Sequence, residues 1–316
     1  MILYMTDTHD ALSKCLIDAQ TSPFYMTLWQ HLSEQISLHT HQSFKINAYT
    51  SVGGGSINEA YRVSNGHTHY FIKRGHINQL NMFKNEALAL EEMQQLATIR
   101  VPRPICFGEH TQHTYIVMEY LNLSGHIDSI ALGQQLATMH KISAKQFGWR
   151  QDNTIGSTPQ QNQLTPLWLD FWREQRMAPQ LVLAKKNGYG HALNTITDKL
   201  LPNMQCLFEN HNPTPSMLHG DLWGGNAAAL ADGTPVIFDP AFYYGDRETD
   251  IAMTRLFGGF DSHFYAAYHE AWPLNDGFKV RQDFYNLYHV LNHLNLFGDG
   301  YLKQTIHLTE RVLANI

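Results

Sequence analysis

The chain has 316 residues, 43% hydrophobic and 16% charged, which is enough for one large or two ordinary domains with proper cores. Its formal net charge of -6 and pI near 6.3 argue against nucleic acid or an anionic membrane surface as the main partner, since either needs a basic face. No uncharged apolar run approaches the roughly 18 to 20 residues of a membrane span, and the opening lacks the basic start of a secretory signal, so the protein is expected in the cytoplasm. Cys15, Cys106 and Cys206 are far apart and show no C-x-x-C pairing, which indicates neither a disulfide framework nor a cysteine zinc site.

Residues 1–27 carry no strong pattern and read as an N-terminal extension. Leu28, Leu32 and Ile36 recur every four residues, predicting a short amphipathic helix on the outside of the first domain. The run 49–63 reads as strand, glycine turn, strand, with Gly53-Gly54-Gly55-Ser56-Ile57-Asn58 at its centre. Such a turn brings backbone amides close to phosphate oxygens, although three glycines serve equally as an ordinary hairpin turn. Tyr70-Phe71-Ile72-Lys73 predicts a short strand ending in a lysine, either a solvated edge charge or the lysine that reaches nucleotide phosphates. Glu86, at the start of a helix predicted over 83–93, stands where a kinase places the acid that orients that lysine. Pro102 and Pro104 break the chain, and strands are predicted over 105–108 and 114–118. The apolar run that ends Glu119-Tyr120-Leu121 before Ser124-Gly125 reads as a hinge, which divides a nucleotide-binding domain, 28–122, from a catalytic and substrate-binding domain, 123–316. Helical periodicity dominates the second half, over 130–142, 168–177, 196–208 and 278–313, with one strand over 235–240.

The most informative stretch is Leu218-His219-Gly220-Asp221-Leu222-Trp223-Gly224-Gly225-Asn226, which fits the H-x-D-L-x-x-x-N catalytic loop of kinases. There the Asp receives a hydroxyl proton and the Asn holds magnesium, and one short stiff loop must supply both if the attacking oxygen is to stay in line with phosphorus. By itself the stretch also fits a Gly-rich turn capped by Asp and Asn. Asp239 ends the strand over 235–240, the position of the magnesium-bridging aspartate of D-F-G, with Pro240 and Ala241 in place of Phe-Gly. Glycine turn, Lys73, Glu86, hinge, Asp221, Asn226 and Asp239 thus follow in kinase order. Gly220 replaces the Arg of H-R-D and no A-P-E follows, so the expected site is assembled without a phosphorylated loop and acts on a small molecule.

Four runs closely resemble the fructosamine kinase (ketosamine-3-kinase) family: Gly53 through Arg62, Leu218 through Asn226, Tyr244-Gly245-Asp246-Arg247-Glu248-Thr249-Asp250-Ile251-Ala252-Met253, and Leu291-Asn292-His293-Leu294-Asn295-Leu296-Phe297-Gly298. The resemblance implies an α+β, two-lobed protein-kinase-like fold of the aminoglycoside-phosphotransferase type, with an antiparallel sheet plus helix in the N-lobe and a mainly helical C-lobe. It implies transfer of the ATP γ-phosphoryl to the 3-hydroxyl of a ketosamine, a ribulosamine or fructosamine adduct of an amine, after which the adduct can decompose and free the amine. Residue by residue, Asp221 matches the catalytic base, Asn226 and Asp239 the Mg2+ ligands, and Lys73 with Glu86 the phosphate-orienting pair. Gly54, Gly55, Ser56, Ile57 and Asn58 match the loop over the phosphates, while Glu119 and Leu121 match adenine-binding hinge positions. Trp223 falls where the family lays an aromatic face on the sugar adduct, with a core Trp as the plain alternative. Ser56 occupies the place where some members carry a redox-sensitive Cys, so thiol-controlled dimerisation is not expected and a monomer is.

Asp250 is expected to tether the catalytic loop by hydrogen bonds, and His219 to pack beneath it. His289 and His293, four apart, admit a metal, substrate contact by His293, or ordinary packing; no H-E-x-x-H accompanies them. Other readings of the whole are a kinase of choline, thiamine or an aminoglycoside, or a nucleotide-binding scaffold without chemistry.

Overall fold

The computed structural model describes residues 26–53, 58–96 and 98–316, so most of the expected extension, and Gly54, Gly55, Ser56 and Ile57 of the glycine turn, lie outside the described residues. Two compact units form: one ends at Asp128 and takes in Gly225–Phe238, the other comprises Ser129–Gly224 and Asp239–Ile316. The first unit therefore runs past the boundary expected near residue 122, and it recovers a segment from the second half.

In the first unit a five-stranded antiparallel sheet is built from β1 (Ala48–Val52), β2 (Glu59–Ser64), β3 (His69–His76), β4 (Pro104–His110) and β5 (His113–Glu119), in the order β1-β2-β3-β5-β4. Helix α1 (Leu28–Thr40) starts at a capping box, with the Thr27 hydroxyl accepting the Gln30 amide and the Gln30 side chain accepting the Thr27 amide. Its buried Leu32 and Ile36 join Val63, Tyr70, Ile72, Tyr115 and Val117 in one core. Strand alternation leaves Phe71 and Lys73 on the opposite face of β3, toward which α2 (Leu80–Gln95) carries Glu86.

Two expectations shift here. Lys73 is not at a strand end but inside β3, between β2 and β5, and is only 7% exposed. Glu86 lies in the second turn of α2 because a 3-10 turn, Ile77–Gln79, starts the helix earlier than its good helix formers suggest. The recovered segment is a hairpin of β9 (Ala227–Ala229) and β10 (Pro235–Ile237), whose Ile237 amide donates to the Arg100 carbonyl at 3.0 Å. Gly125 fits against it only as glycine, since a Cβ there would stand 1.8 Å from the Leu230 carbonyl oxygen.

The second unit is mainly helical. Its elements are α3 (Ser129–His140), a small hairpin of β6 (Asn153–Ile155) and β7 (Thr158–Gln160), and α4 (Trp168–Phe171) continuing through a π turn into α5 (Ala178–Lys186). After the one-turn α6 (Leu201–Asn203) come β8 (Ser216–Leu218), β11 (Tyr243–Gly245), α7 (Glu248–Leu256), α8 (Ser262–Ala271), α9 (Phe278–Phe297) and α10 (Leu302–Leu313). Aromatic side chains fill the centre: Trp168, Phe171, Trp172, Phe284 and Tyr285 are all buried in ring-to-ring contact. The N-terminus of α7 is fixed by a buried ionic network. Asp246 accepts from His211 Nε2 at 2.6 Å and from the Tyr285 hydroxyl at 2.5 Å, and Glu248 takes Arg281 through both guanidinium Nε and Nη2. None of the described helices is long and apolar enough to cross a membrane.

Candidate active site

In the first unit, Lys73 Nζ donates to Glu86 Oε1 at 2.6 Å, joining two residues that the sequence separates by a helix and a turn. Both side chains are largely buried, so the pair holds the ammonium in one place and each charge depends on the other. Asn58 precedes β2 and lies against Gly75 of β3, where a Cβ would come within 3.1 Å of Asn58 Oδ1. The Glu119 carboxylate is engaged by Arg100 Nη2 at 2.7 Å and the Arg103 amide at 2.6 Å, and the Glu119 amide donates to the Arg103 carbonyl at 2.9 Å. Leu121 follows in irregular chain. Asn226 is buried at the mouth of the β9–β10 hairpin, where its carbonyl accepts the Phe238 amide at 3.1 Å. Asp239, which follows Phe238 and opens the second unit's returning segment, adopts φ 59, a left-handed conformation that costs a non-glycine residue roughly 1–3 kcal/mol and persists where surrounding structure imposes it.

In the second unit the H-x-D loop leaves β8, which pairs with β11. Its backbone is clamped by one carboxylate: the His219 amide donates to Asp250 Oδ2 at 2.7 Å and the Gly220 amide to Oδ1 at 2.8 Å. Behind Asp250 runs a chain of partners. Arg247 Nη1 donates to the Tyr268 oxygen at 3.0 Å, the Tyr268 hydroxyl donates to His140 Nδ1 at 2.8 Å, and His140 Nε2 donates to Asp250 Oδ2 at 3.1 Å. This tautomer is the one that leaves every member satisfied. Burial alone would raise the Asp250 carboxyl, but the hydrogen bonds from His140 and the Gly220 amide hold it below the usual carboxylate range. Burial lowers His140 despite its carboxylate partner, and the pair is a neutral imidazole beside a carboxylate.

Gly220 has φ +83, and a Cβ on it would stand 2.0 Å from the Ala241 carbonyl oxygen. The residue between His219 and Asp221 is thus glycine for a steric reason, which also leaves no room for the arginine of H-R-D. His219 is fully buried and its Nδ1 accepts the Asp221 amide at 3.3 Å, a packing and turn-forming role.

Trp223, two residues past Asp221, is half-buried and touches Phe257 edge to face at 6.2 Å between ring centroids. Phe257 lies against His293 at 4.7 Å, and His293 against Tyr301 at 5.1 Å and Phe297 at 5.5 Å. The structure therefore brings Trp223 and His293 to one wall through a residue the sequence reading missed. The signal for Phe257 was available in Gly258-Gly259, since a Cβ on Gly224 would meet the Gly258 carbonyl oxygen and Gly259 Cα at 2.9 Å. His289 is buried one turn before His293 and its carbonyl accepts His293 Nδ1 at 2.8 Å, so the two imidazoles do not converge on an ion. Burial pushes His289 down to about 3 and lowers His293 as well.

Among the described residues, one group of metal-ligand types lies within reach of a single ion, His211, Asp246 and Glu248. A cation there would face the Arg281 guanidinium, 2.7 Å from Glu248, so the group is an ionic brace and not the expected metal site. Cys106 is buried, which raises its thiol to about 12, and Cys206 is exposed; both are free, and Cys15 lies outside the described residues.

A five-stranded antiparallel sheet with a lysine–glutamate pair, and a helical unit that clamps an H-x-D loop, define the protein-kinase-like class of ATP-dependent phosphotransferases. A fructosamine kinase family model matches residues 28–315, and the chain belongs to that family. It is 46% identical over 288 residues to a Synechocystis protein named "Probable ketoamine kinase", covering 90% of this chain and 97% of that one. It is 42% identical over 273 residues to the chloroplastic protein-ribulosamine 3-kinase of Arabidopsis thaliana, covering 85% of this chain and 83% of the relative. A solved Haemophilus somnus protein named "Putative fructosamine-3-kinase" superposes with a TM-score of 0.82 at 28% identity, over 89% of this chain and 96% of that one. An aminoglycoside phosphotransferase, at 15% identity and a TM-score of 0.57 over 92% of this chain and 98% of that one, shares the fold.

Proposed function

We propose that the protein transfers the γ-phosphoryl of ATP to the 3-hydroxyl of ketosamines, a deglycation repair activity. The observation that carries the reading is the catalytic loop itself: Asp221 stands on backbone clamped by Asp250, and Trp223, two residues on, opens an aromatic wall. A sugar presents apolar C–H faces and hydroxyl edges, which suit an indole face beside an imidazole.

Asp221 accepts the 3-hydroxyl proton as that oxygen forms its bond to the γ-phosphorus, and the bond from phosphorus to the ADP oxygen breaks. Lys73, held by Glu86, positions the nucleotide phosphates, and Gly54, Gly55, Ser56, Ile57 and Asn58 cover them. Glu119 and Leu121 receive adenine through backbone groups, consistent with a Glu119 side chain already committed to Arg100 and Arg103. The side-chain amide oxygen of Asn226 and the carboxylate of Asp239 are hard oxygen donors on residues at the mouth and exit of one hairpin, and the strained φ of Asp239 is the kind of conformation found where a side chain must be aimed. They suit Mg2+, which when bound neutralises charge on the phosphates. Trp223 and His293 meet the sugar.

An ATP-consumption assay over ribulosamines, fructosamines, choline, thiamine and aminoglycosides tests the reading. Turnover is expected with the first two classes; consumption confined to the last three would overturn it.

A further inference from the structure

Arg176 is fully buried, yet among the described residues no carboxylate pairs with it. Its guanidinium Nη1 donates to the Gln161 carbonyl at 2.5 Å and the Gln175 carbonyl at 3.0 Å, Nη2 donates to Asn162 Oδ1 at 2.7 Å, and Nε meets no acceptor. The cation lies instead against aromatic faces, 4.1 Å from the centre of the Tyr243 ring and 4.5 Å from that of Phe171. The π turn Trp172–Met177 brings it there, with Gln175, Arg176 and Met177 buried in succession, and such turns recur at functional sites. A buried cation without a counter-charge is costly, and an apolar side chain of similar volume would fill the space at less cost. Packing alone does not account for Arg176.

What a guanidinium adds is direction, because it donates hydrogen bonds and accepts none. It holds the Asn162 side-chain oxygen toward itself, which turns Asn162 Nδ2 to Asn153 Oδ1 at 2.8 Å. Asn153 Nδ2 is thereby turned to the Phe242 carbonyl, also at 2.8 Å. Gln160 Nε2 joins the relay at Asn153 Oδ1, 2.9 Å away, and donates to the Ala241 carbonyl at 3.1 Å. That Ala241 oxygen is the atom a Cβ on Gly220 would meet at 2.0 Å, and the Tyr243 ring under the guanidinium reaches the same point at 3.3 Å. The relay therefore ends on the two carbonyls of the segment against which the residue before Asp221 rests. At its far side Tyr288, whose hydroxyl donates to Gln160 Oε1 at 2.8 Å, is raised by burial, lowered by Arg176 and raised by Asp221, so both charges reach one ring.

Resting on the reading of Asp221 as the base of phosphoryl transfer, we propose that Arg176 is a positioning residue: through Asn162, Asn153 and Gln160 it fixes Ala241 and Phe242 against Gly220 and so holds Asp221 in line with phosphorus. Asp250 grips the loop by its amides, and the Arg176 relay braces it through the facing carbonyl of Ala241. Arg176 acts through these residues and takes no part in the chemical step.

The test follows kcat, KM and amide exchange in variants of the full chain. Arg176→Met fills the space but donates no hydrogen bond. With ATP and a ribulosamine its kcat should fall roughly tenfold or more while both KM values stay within about twofold, because a misplaced base is felt in the transition state and not in binding. Hydrogen exchange in a peptide covering 218–223 should quicken in the same variant. Arg176→Lys still donates and accepts nothing, so exchange should slow again and kcat should return to within about threefold of wild type, the ammonium lacking the guanidinium fork. Asn153→Ala cuts the relay beyond an intact Arg176 and should lower kcat about threefold, the scale of one neutral hydrogen bond; it decides the matter if Arg176→Met does not fold. Full kcat in Asn153→Ala or in Arg176→Met, or a lysine variant as impaired as the methionine one, would overturn the relay. Absence of wild-type turnover with any ketosamine would overturn the functional reading instead, and exchange over 218–223 that Arg176→Met leaves unchanged would overturn the relay without reference to any substrate.

Discussion

The two sides of Asp221 are held in different ways. On its N-terminal side the backbone amides of His219 and Gly220 end on one buried carboxylate, and that carboxylate is backed by His140, Tyr268 and Arg247 from three separate helical regions. On its C-terminal side Trp223 is held by a ring contact to the exposed Phe257, which in turn lies against His293. Directional hydrogen bonds out of solvent fix the backbone before Asp221, the proposed acceptor of the hydroxyl proton, to within a small error, as phosphoryl transfer in line would require. Ring contacts at a surface tolerate more variation than directional hydrogen bonds do.

Asp221→Ala should break the chemistry and nothing else: turnover falls roughly 10²-fold or more while the nucleotide-induced thermal shift is kept. Near-wild-type turnover would remove Asp221 from the role of base. Asp250→Ala strikes the clamp. It leaves two buried amides unpaired, at about 1–3 kcal/mol each, so both the melting temperature and turnover should drop together; a stable variant of normal activity would show that the clamp is dispensable. Asp239→Ala should abolish the part of the ATP-induced thermal shift that depends on magnesium, and an unchanged magnesium dependence would count against it as a metal ligand. On the side of the rings the effect should be smaller and of another kind. Trp223→Ala is expected to raise KM for a ketosamine about tenfold with a lesser change in kcat, and the reverse split would assign Trp223 to the chemical step.

The finest distinction between the regions is in their response to acid. His140 and His289 are both buried with lowered folded-state values, whereas unfolded histidine titrates near 6.5. The unfolded chain therefore binds more protons below that pH. Stability is fully present above about 6.5 and declines as pH falls, by up to ~1.4 kcal/mol per pH unit for each histidine. Asp250, lowered when folded, adds stability above the unfolded carboxylate range of about 3.9 and loses it only in stronger acid, so it is silent in this window. Denaturant unfolding at several pH values from 5 to 7 should show the decline, and His289→Phe should make it shallower. A slope identical to wild type would mean His289 is charged when folded.

Much of this was legible in the sequence, because strand alternation and glycine-punctuated motifs are local. Leu32 and Ile36, spaced by four, do face the sheet, and Lys73 and Glu86, thirteen apart, do meet. The π turn Trp172–Met177 has no such local mark, and the attachment of the β9–β10 hairpin depends on Arg100, whose carbonyl is a partner only once the chain has folded. In the site, Gly220 could be read as the loss of an arginine, but the reason for glycine lies in the carbonyl of Ala241, reached through the β8–β11 pairing. The line from Arg247 to His140 was invisible for the same reason: its members are distant along the chain and each is an ordinary residue type.

The central claim is that Asp221 faces the 3-hydroxyl of a ketosamine. Phosphorus–proton correlation NMR of the product formed from ATP and a ribulosamine tests it most directly. The expected spectrum couples the new phosphate to the proton on sugar carbon 3, and free amine then accumulates as the phosphorylated adduct decomposes. A phosphate coupled to any other sugar position, with the amine retained, would contradict it.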